Sequence, residues 1–241
     1  MSKESLLLLP GLMCDETVWI PLLEDLSKTH DCTVVDHGRA DSLSVMAKNI
    51  LRQAPNKFAL AGHSMGGRIA IEVIRQAPER VSRVALMNTG YLPRPDSEVG
   101  AKEMQTRYEL LKIAIDQGVE AMARTWVKGM VAPARFSDEP FIQRIIDMFK
   151  LKSVDIFKHQ IAALLNRPDG TPVLKTLSVP TLVLCTEFDS WSPVKQHRDM
   201  ADLMSKQPTW CEISGAGHMC TMEAPQAVAK AMTDWLNSPN T

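Results

Sequence analysis

Ser64, His218 and a carboxylate lying between them in the chain are the residues of this sequence best suited to do chemistry. Ser64 stands in Gly62-His63-Ser64-Met65-Gly66-Gly67, which follows an apolar run, Phe58 to Ala61, and precedes a helical pattern, Arg68 to Gln76. That order reads as strand, sharp turn and helix. A serine between glycines at such a turn is forced into a strained backbone conformation, and small neighbours let helix and strand approach closely. The hydroxyl is thereby held out of the fold. A G-x-S-x-G string also occurs in ordinary glycine-rich turns, so its weight here comes from the strand-turn-helix setting. A free hydroxyl is barely ionised at neutral pH, so a nucleophilic serine needs a base to take its proton and a carboxylate to orient that base.

Of the six histidines, His218 has the most suggestive setting. Ser214-Gly215-Ala216-Gly217-His218-Met219 is a flexible loop between a strand-like segment, Thr209 to Ile213, and a helix beginning near Pro225. His63 adjoins the serine, but neighbouring residues at an elbow point in different directions, so it reads as packing or shaping the turn. His30, His37, His159 and His197 lie in polar or helical contexts with no fixed relation to the elbow. No pair of histidines has metal-ligand spacing, and neither a metal nor another cofactor is expected. The carboxylate candidates lie in Thr181-Leu182-Val183-Leu184-Cys185-Thr186-Glu187-Phe188-Asp189-Ser190-Trp191-Ser192-Pro193, a buried strand running into a loop, with Pro193 suited to open a helix. They are Asp189 and, nearer the strand end, Glu187.

The elements that must position these groups alternate. Strands are expected at Leu6 to Leu9, Thr33 to Val35, Phe58 to Ala61, Val84 to Met87, Leu182 to Cys185 and Thr209 to Ile213. Helices are expected near Thr17 to Leu26, Ser44 to Ala54, Arg68 to Gln76, Pro193 to Met204 and Pro225 to Leu236. Such alternation predicts a parallel sheet with helices on both faces. Between about Tyr91 and Lys175 strand signals vanish and helical periodicity takes over. Tyr108, Leu111 and Ile115 share one helical face, Met122 and Trp126 another, and Phe141, Ile145, Phe149 and Phe157, Ile161, Leu165 give further stripes. Four helices are expected there, folded over the carboxyl edge of the sheet so that their inner face selects a substrate.

With this elbow, with the chain order Ser64, Asp189, His218 and with a strand leading into Pro10-Gly11 near the amino terminus, the sequence resembles the α/β-hydrolase superfamily. The resemblance implies that Asp189, rather than Glu187, orients His218. It also implies an oxyanion hole formed by the backbone N–H groups of Leu12 and Met65, with Met13 the alternative to Leu12. Pro10-Gly11 stands where members often carry His-Gly. The fold implied is α/β, a compact member with about six mostly parallel strands, in which residues 1–90 and 176–241 form the core and 91–175 a helical cap. A serine at the elbow separates the chain from the haloalkane dehalogenase and epoxide hydrolase branches, which use an aspartate there. Within the superfamily, the general similarity is to bacterial carboxylesterases of the pimeloyl-carrier-protein methyl esterase kind.

Composition is consistent with that class. The chain has 241 residues, 45% of them hydrophobic, and a net charge of −1, so it presents no field that would attract nucleic acid or an anionic membrane. No stretch approaches the roughly 20 apolar residues of a membrane helix. Five cysteines, odd in number and without CxxC spacing, and a leucine run too short for an export signal point to the reducing cytoplasm. Cys14 and Cys220 flank the candidate site as small packing residues. The region 91–175 holds 13 Lys and Arg against 11 Asp and Glu, too slight an excess to argue for an acidic carrier-protein partner. The expected function is hydrolysis of a small or medium carboxylic ester. The alternatives are a lactonase or a meta-cleavage C–C hydrolase, whose relatives share this elbow but usually carry tryptophan where Met219 follows His218, and a ligand-binding receptor on the same fold.

Overall fold

Six strands carry the fold: β1 Glu4–Leu9, β2 His30–Val34, β3 Phe58–His63, β4 Val81–Met87, β5 Thr181–Thr186 and β6 Thr209–Ile213. In the computed structural model, which describes residues 3–239, they pair into one all-parallel sheet in the order β2-β1-β3-β4-β5-β6. β3 and β5 are buried along their whole length, whereas the edge strands β2 and β6 are partly exposed. Strands covered by helices on both faces read as continuous apolar runs, which is why the central ones stand out in the sequence.

The helices of the first half are α1 Ile20–Leu26, α2 Leu43–Gln53 and α3 Met65–Gln76. Between β4 and β5 come four longer helices, α4 Glu98–Gln117, α5 Val119–Trp126, α6 Glu139–Lys150 and α7 Val154–Leu165, and then the short α8 Thr171–Thr176, which packs on α3. The chain closes with α9 Val194–Asp202, α10 Cys220–Glu223 and α11 Pro225–Leu236. α2 and α3 pack together on one face of the sheet, and α1 packs with α11 on the other. β1 and β3 are neighbours whose outgoing connections run to opposite sides, a topological switch point, and such a point opens a crevice at the carboxyl ends of the strands.

Two sequence expectations need correction. The first helix does not begin at Thr17: Glu16–Val18 form a 3₁₀ turn capped by the Asp15 carboxylate, which accepts from the Thr17 N–H at 2.8 Å, and α1 starts at Ile20. In α4, Leu111 is buried but Tyr108 and Ile115 are exposed. The inward face runs instead through Glu103, Arg107, Leu110, Leu111 and Ala114. Glu103 is held there by Arg167, whose Nη1 and Nη2 donate to its two oxygens at 2.7 and 2.8 Å. An ion pair has made charged residues part of the packed face, which hydrophobic periodicity does not anticipate.

The turn after β3 depends on its glycines. A Cβ on Gly62 would lie 2.3 Å from the Gly66 carbonyl oxygen, and one on Gly66 would lie 2.0 Å from the Leu9 carbonyl oxygen. Both obstacles are backbone, so neither can step aside. Gly66→Ala is expected to cost at least the roughly 1–3 kcal/mol typical of over-packed sites, read as a lower urea midpoint and a lower soluble yield. A variant as stable as wild type would mean that β1 and α3 can separate freely.

Candidate active site

Ser64 leaves β3 and caps α3 with φ +56° and ψ −119°, and its N–H donates to the Met87 carbonyl at 2.9 Å. Among the described residues only three non-glycine positions have positive φ, Met13, Ser64 and Asn88. All three follow carboxyl ends of central strands, and strain of this kind is concentrated at functional sites, where the surrounding fold must overrule local preference.

The half-buried Ser64 hydroxyl lies 2.8 Å from His218 Nε2, and His218 Nδ1 lies 2.8 Å from Asp189 Oδ2. Asp189 is only 3% exposed, yet four donors converge on it. Oδ2 also accepts from the Asn88 side-chain amide at 2.8 Å, and Oδ1 accepts from the N–H groups of Trp191 at 2.9 Å and Ser192 at 3.0 Å. Burial alone would raise the Asp189 pKa, but the electrostatic interaction with the facing His218 ring and these hydrogen bonds outweigh it and bring it down to about 2. An ionised carboxylate can only accept, so the His218 proton sits on Nδ1 and the Nε2 lone pair faces the serine hydroxyl. That is the arrangement required for removing a proton from Ser64. Glu187 is not part of it: its Oε2 accepts from the Gly215 N–H at 2.9 Å in an exposed setting.

The turn after β1 abuts the serine, since a Cβ on Gly11 would lie 3.2 Å from Ser64 Cβ. The Met13 N–H is occupied, donating to the Gln160 side-chain oxygen at 2.9 Å. The N–H of Leu12 has no acceptor among the described residues. Neither does that of Met65, which as the first residue of α3 belongs to the set of helix N–H groups that lack an intrahelical partner and favour negative charge.

Three other histidines support this framework. His63, fully buried, donates from Nε2 to the His218 carbonyl at 2.7 Å, and its ring centroid is 5.1 Å from that of His218. His37 donates from Nε2 to the Pro10 carbonyl at 3.0 Å. His197 accepts from the Thr89 N–H at 3.0 Å, and the Thr89 hydroxyl donates to the Ser64 carbonyl at 2.7 Å. His37, which has no evident relation to the elbow in the sequence, therefore touches the 10–13 turn directly, and His197 reaches the elbow in two hydrogen bonds through Thr89.

Burial pulls both His37 and His63 from 6.5 down to about 4. Above pH 6.5 both are neutral in the folded and unfolded chain and impose no penalty. As pH falls from 6.5 toward 4 the unfolded chain takes up protons that the folded chain refuses, so stability drops, by up to roughly 3 kcal/mol for each histidine. The urea midpoint is expected to fall steeply between pH 6.5 and 4.5, with a shallower fall in His37→Gln. Asp189 acts in a separate window: its contribution is present above about pH 4 and is lost only as pH approaches 2.

Beside His218 stands an aromatic wall. The Trp191 ring lies 4.9 Å from the His218 ring and stacks on Trp126 of α5 at 5.5 Å. Trp126 in turn meets Phe149 at 5.5 Å and Phe157 at 5.7 Å. Sequence reasoning missed Asn88, Gln160 and Trp191. Gln160 left a legible trace, a lone polar residue among the buried Phe157, Ile161 and Leu164 of α7, whereas Asn88 left none. Cys14 and Cys220 are both buried free thiols, with burial pushing Cys14 up to about 12. Among the described residues there is no group of three or more His, Cys, Asp or Glu that could hold a metal ion, and no helix is long and apolar enough to cross a membrane.

A parallel sheet of this order with a strained serine between strand and helix defines the α/β-hydrolase class, and comparison with known proteins agrees. Residues 6–231 match the model of the alpha/beta hydrolase family, and the chain belongs to that family. It is 24% identical to the biotin biosynthesis bifunctional protein BioHC of Teredinibacter turnerae, over 98% of this chain but only 45% of that protein, so it spans about half the length of this relative. It is 26% identical to the pimeloyl-[acyl-carrier protein] methyl ester esterase of Aliivibrio fischeri, covering 83% of this chain and 80% of that one. Among solved structures, a thermophilic esterase from Thermogutta terrifontis matches with a TM-score of 0.85 at 25% identity, over 100% of this chain and 92% of that one. An enol-lactonase from Burkholderia xenovorans matches with a TM-score of 0.85 at 20% identity, over 99% and 93% of the two chains.

Proposed function

We propose that this chain is a serine hydrolase that cleaves a small or medium carboxylic ester through an acyl-enzyme intermediate. The observation that carries the reading is the pair of 2.8 Å hydrogen bonds running from Ser64 Oγ through the His218 imidazole to Asp189. Ser64 Oγ attacks the ester carbonyl carbon while His218 Nε2 takes its proton. The N–H groups of Leu12 and Met65 hold the oxyanion, because the Met13 N–H is committed to Gln160. His218 then protonates the departing alkoxide, leaving the acyl group on Ser64. Water deprotonated by His218 attacks that acyl group, and the carboxylic acid and free serine are released. Asp189 stays ionised throughout and holds the reactive tautomer.

In this reading residues 91–175 are a cap over the core formed by 1–90 and 176–241. The aromatic wall of Trp126 and Trp191 faces the leaving or acyl group. The substrate is a small molecule, and no cofactor takes part. Five free thiols suit a reducing cytoplasm. The esterase names of the relatives support the bond type, and lactones share the same chemistry. Turnover on p-nitrophenyl esters from acetate to decanoate, run beside a simple lactone, tests the reading. A folded protein that hydrolyses no member of the panel overturns it.

A further inference from the structure

We propose that Glu223 is a positioning residue that holds His218 against Ser64 by clamping the backbone on both sides of His218 and tying it to the 130–132 segment. Glu223 ends α10, five residues after His218, and three backbone donors converge on its carboxylate. Oε1 accepts from the N–H groups of Gly217 and Met219, each at 3.1 Å, and these flank His218 directly. Oε2 accepts from the N–H of Ala132 at 2.8 Å, on the segment between α5 and α6.

Independent contacts join the same two segments. The Met219 N–H is shared with the Met130 carbonyl at 3.2 Å, and the Arg135 guanidinium donates to the Glu223 carbonyl at 3.3 Å. A Cβ on Gly217 would lie 2.6 Å from the Ala132 nitrogen and 2.7 Å from the Val131 carbonyl carbon, so the two backbones touch. With the His63 ring on the His218 carbonyl at 2.7 Å, the backbone around His218 is pinned before, at and after the residue. The His218 loop carries Gly215 at φ +76° and Gly217, and has little stiffness of its own. Its position is therefore set from outside.

Three N–H donors meeting at one group call for a side chain that only accepts. A carboxylate offers two oxygens, whereas a glutamine of the same shape turns an NH₂ toward one of the donors. A small displacement of His218 lengthens both of its side-chain hydrogen bonds, and a misplacement of about 1 Å in a reacting geometry can cost about 100-fold in rate.

The test is Glu223→Gln, with Glu223→Asp as the milder variant that decides if the first does not fold. It rests on the ester-hydrolase reading for its kinetic arm. In folded Glu223→Gln, kcat on p-nitrophenyl acetate is expected to fall about 10- to 100-fold with KM within about threefold. The far-downfield proton resonance of the His218–Asp189 hydrogen bond should shift or broaden. Glu223→Asp, which keeps the charge but is too short to reach both sides, should show a smaller change of the same kind. A folded variant with kcat within twofold of wild type, or one that loses rate with an unaltered His218 resonance, overturns the proposal while leaving the hydrolase reading intact. If the wild type itself hydrolyses no ester, that reading fails, and the proton resonance alone decides the role of Glu223.

Discussion

Ser64→Ala is expected to leave a folded protein whose kcat on p-nitrophenyl esters is about 10⁶-fold below wild type. Removing the nucleophile of a unit of this kind removes nearly all of what the unit does, and a residual rate about 10³- to 10⁴-fold above uncatalysed hydrolysis remains from the oxyanion donors and substrate binding. The substitution deletes one half-buried hydroxyl and its 2.8 Å hydrogen bond to His218, leaving β3, the turn glycines and α3 untouched. The unfolding free energy from urea titration should therefore stay within about 1 kcal/mol of wild type. Covalent labelling by a fluorophosphonate should vanish together with turnover. A folded variant that keeps a tenth of the activity would show that another group attacks the carbonyl.

Asp189→Asn is expected to lower kcat about 10⁴-fold. The new side chain presents an NH₂ to His218 Nδ1, so the imidazole proton moves to Nε2 and faces Ser64 as a donor, unable to accept its proton. The effect on stability is separate and sizeable. The Asn88 amide and the N–H groups of Trp191 and Ser192 all aim at this carboxylate, and an asparagine cannot accept from all of them together with His218. Leaving one such donor buried and unmet costs about 1–3 kcal/mol. Both effects are measurable on one preparation, kcat by ester turnover and stability by urea unfolding. The double variant Ser64→Ala, Asp189→Asn should show no further loss of activity below Ser64→Ala, because the carboxylate acts only through His218 and the serine. A double variant a thousandfold slower again would assign Asp189 an independent role.

Much of this was legible before any coordinates. The central strands announce themselves because strands buried on both faces are uninterrupted apolar runs, whereas the partly exposed edge strand β2, expected at Thr33 to Val35, lies at His30–Val34. The elbow announces itself because its constraints lie within six consecutive residues, Gly62 to Gly67. The elbow motif and the loop setting single out Ser64 and His218, the family resemblance adds Asp189, and those three side chains meet in the structure. The carboxylate was the weaker choice from residues alone, since Glu187 and Asp189 stand two apart on the same loop. What separates them is that the backbone N–H groups of Trp191 and Ser192 fold back onto Asp189, whereas Glu187 turns to Gly215.

The stripe of α4 shows where reading by hydrophobic period fails. Glu103 and Arg107 face inward because Arg167, 64 residues from Glu103, supplies a partner, while Tyr108 and Ile115 are left outside. Gln160 and Asn88 escaped notice for the same reason. Each acts on a residue more than a hundred positions away, Gln160 on Met13 and Asn88 on Asp189, and no local pattern encodes such a partner. The parallel sheet, the strained serine and the groups able to move a proton follow from short-range sterics and side-chain chemistry, and so are legible in the residues alone. Which carboxylate meets His218, the commitment of the Met13 N–H to Gln160, and the contacts that pin the loop around His218 arise on folding. Those outcomes depend on where distant backbone donors converge, and convergence exists only once the chain has folded.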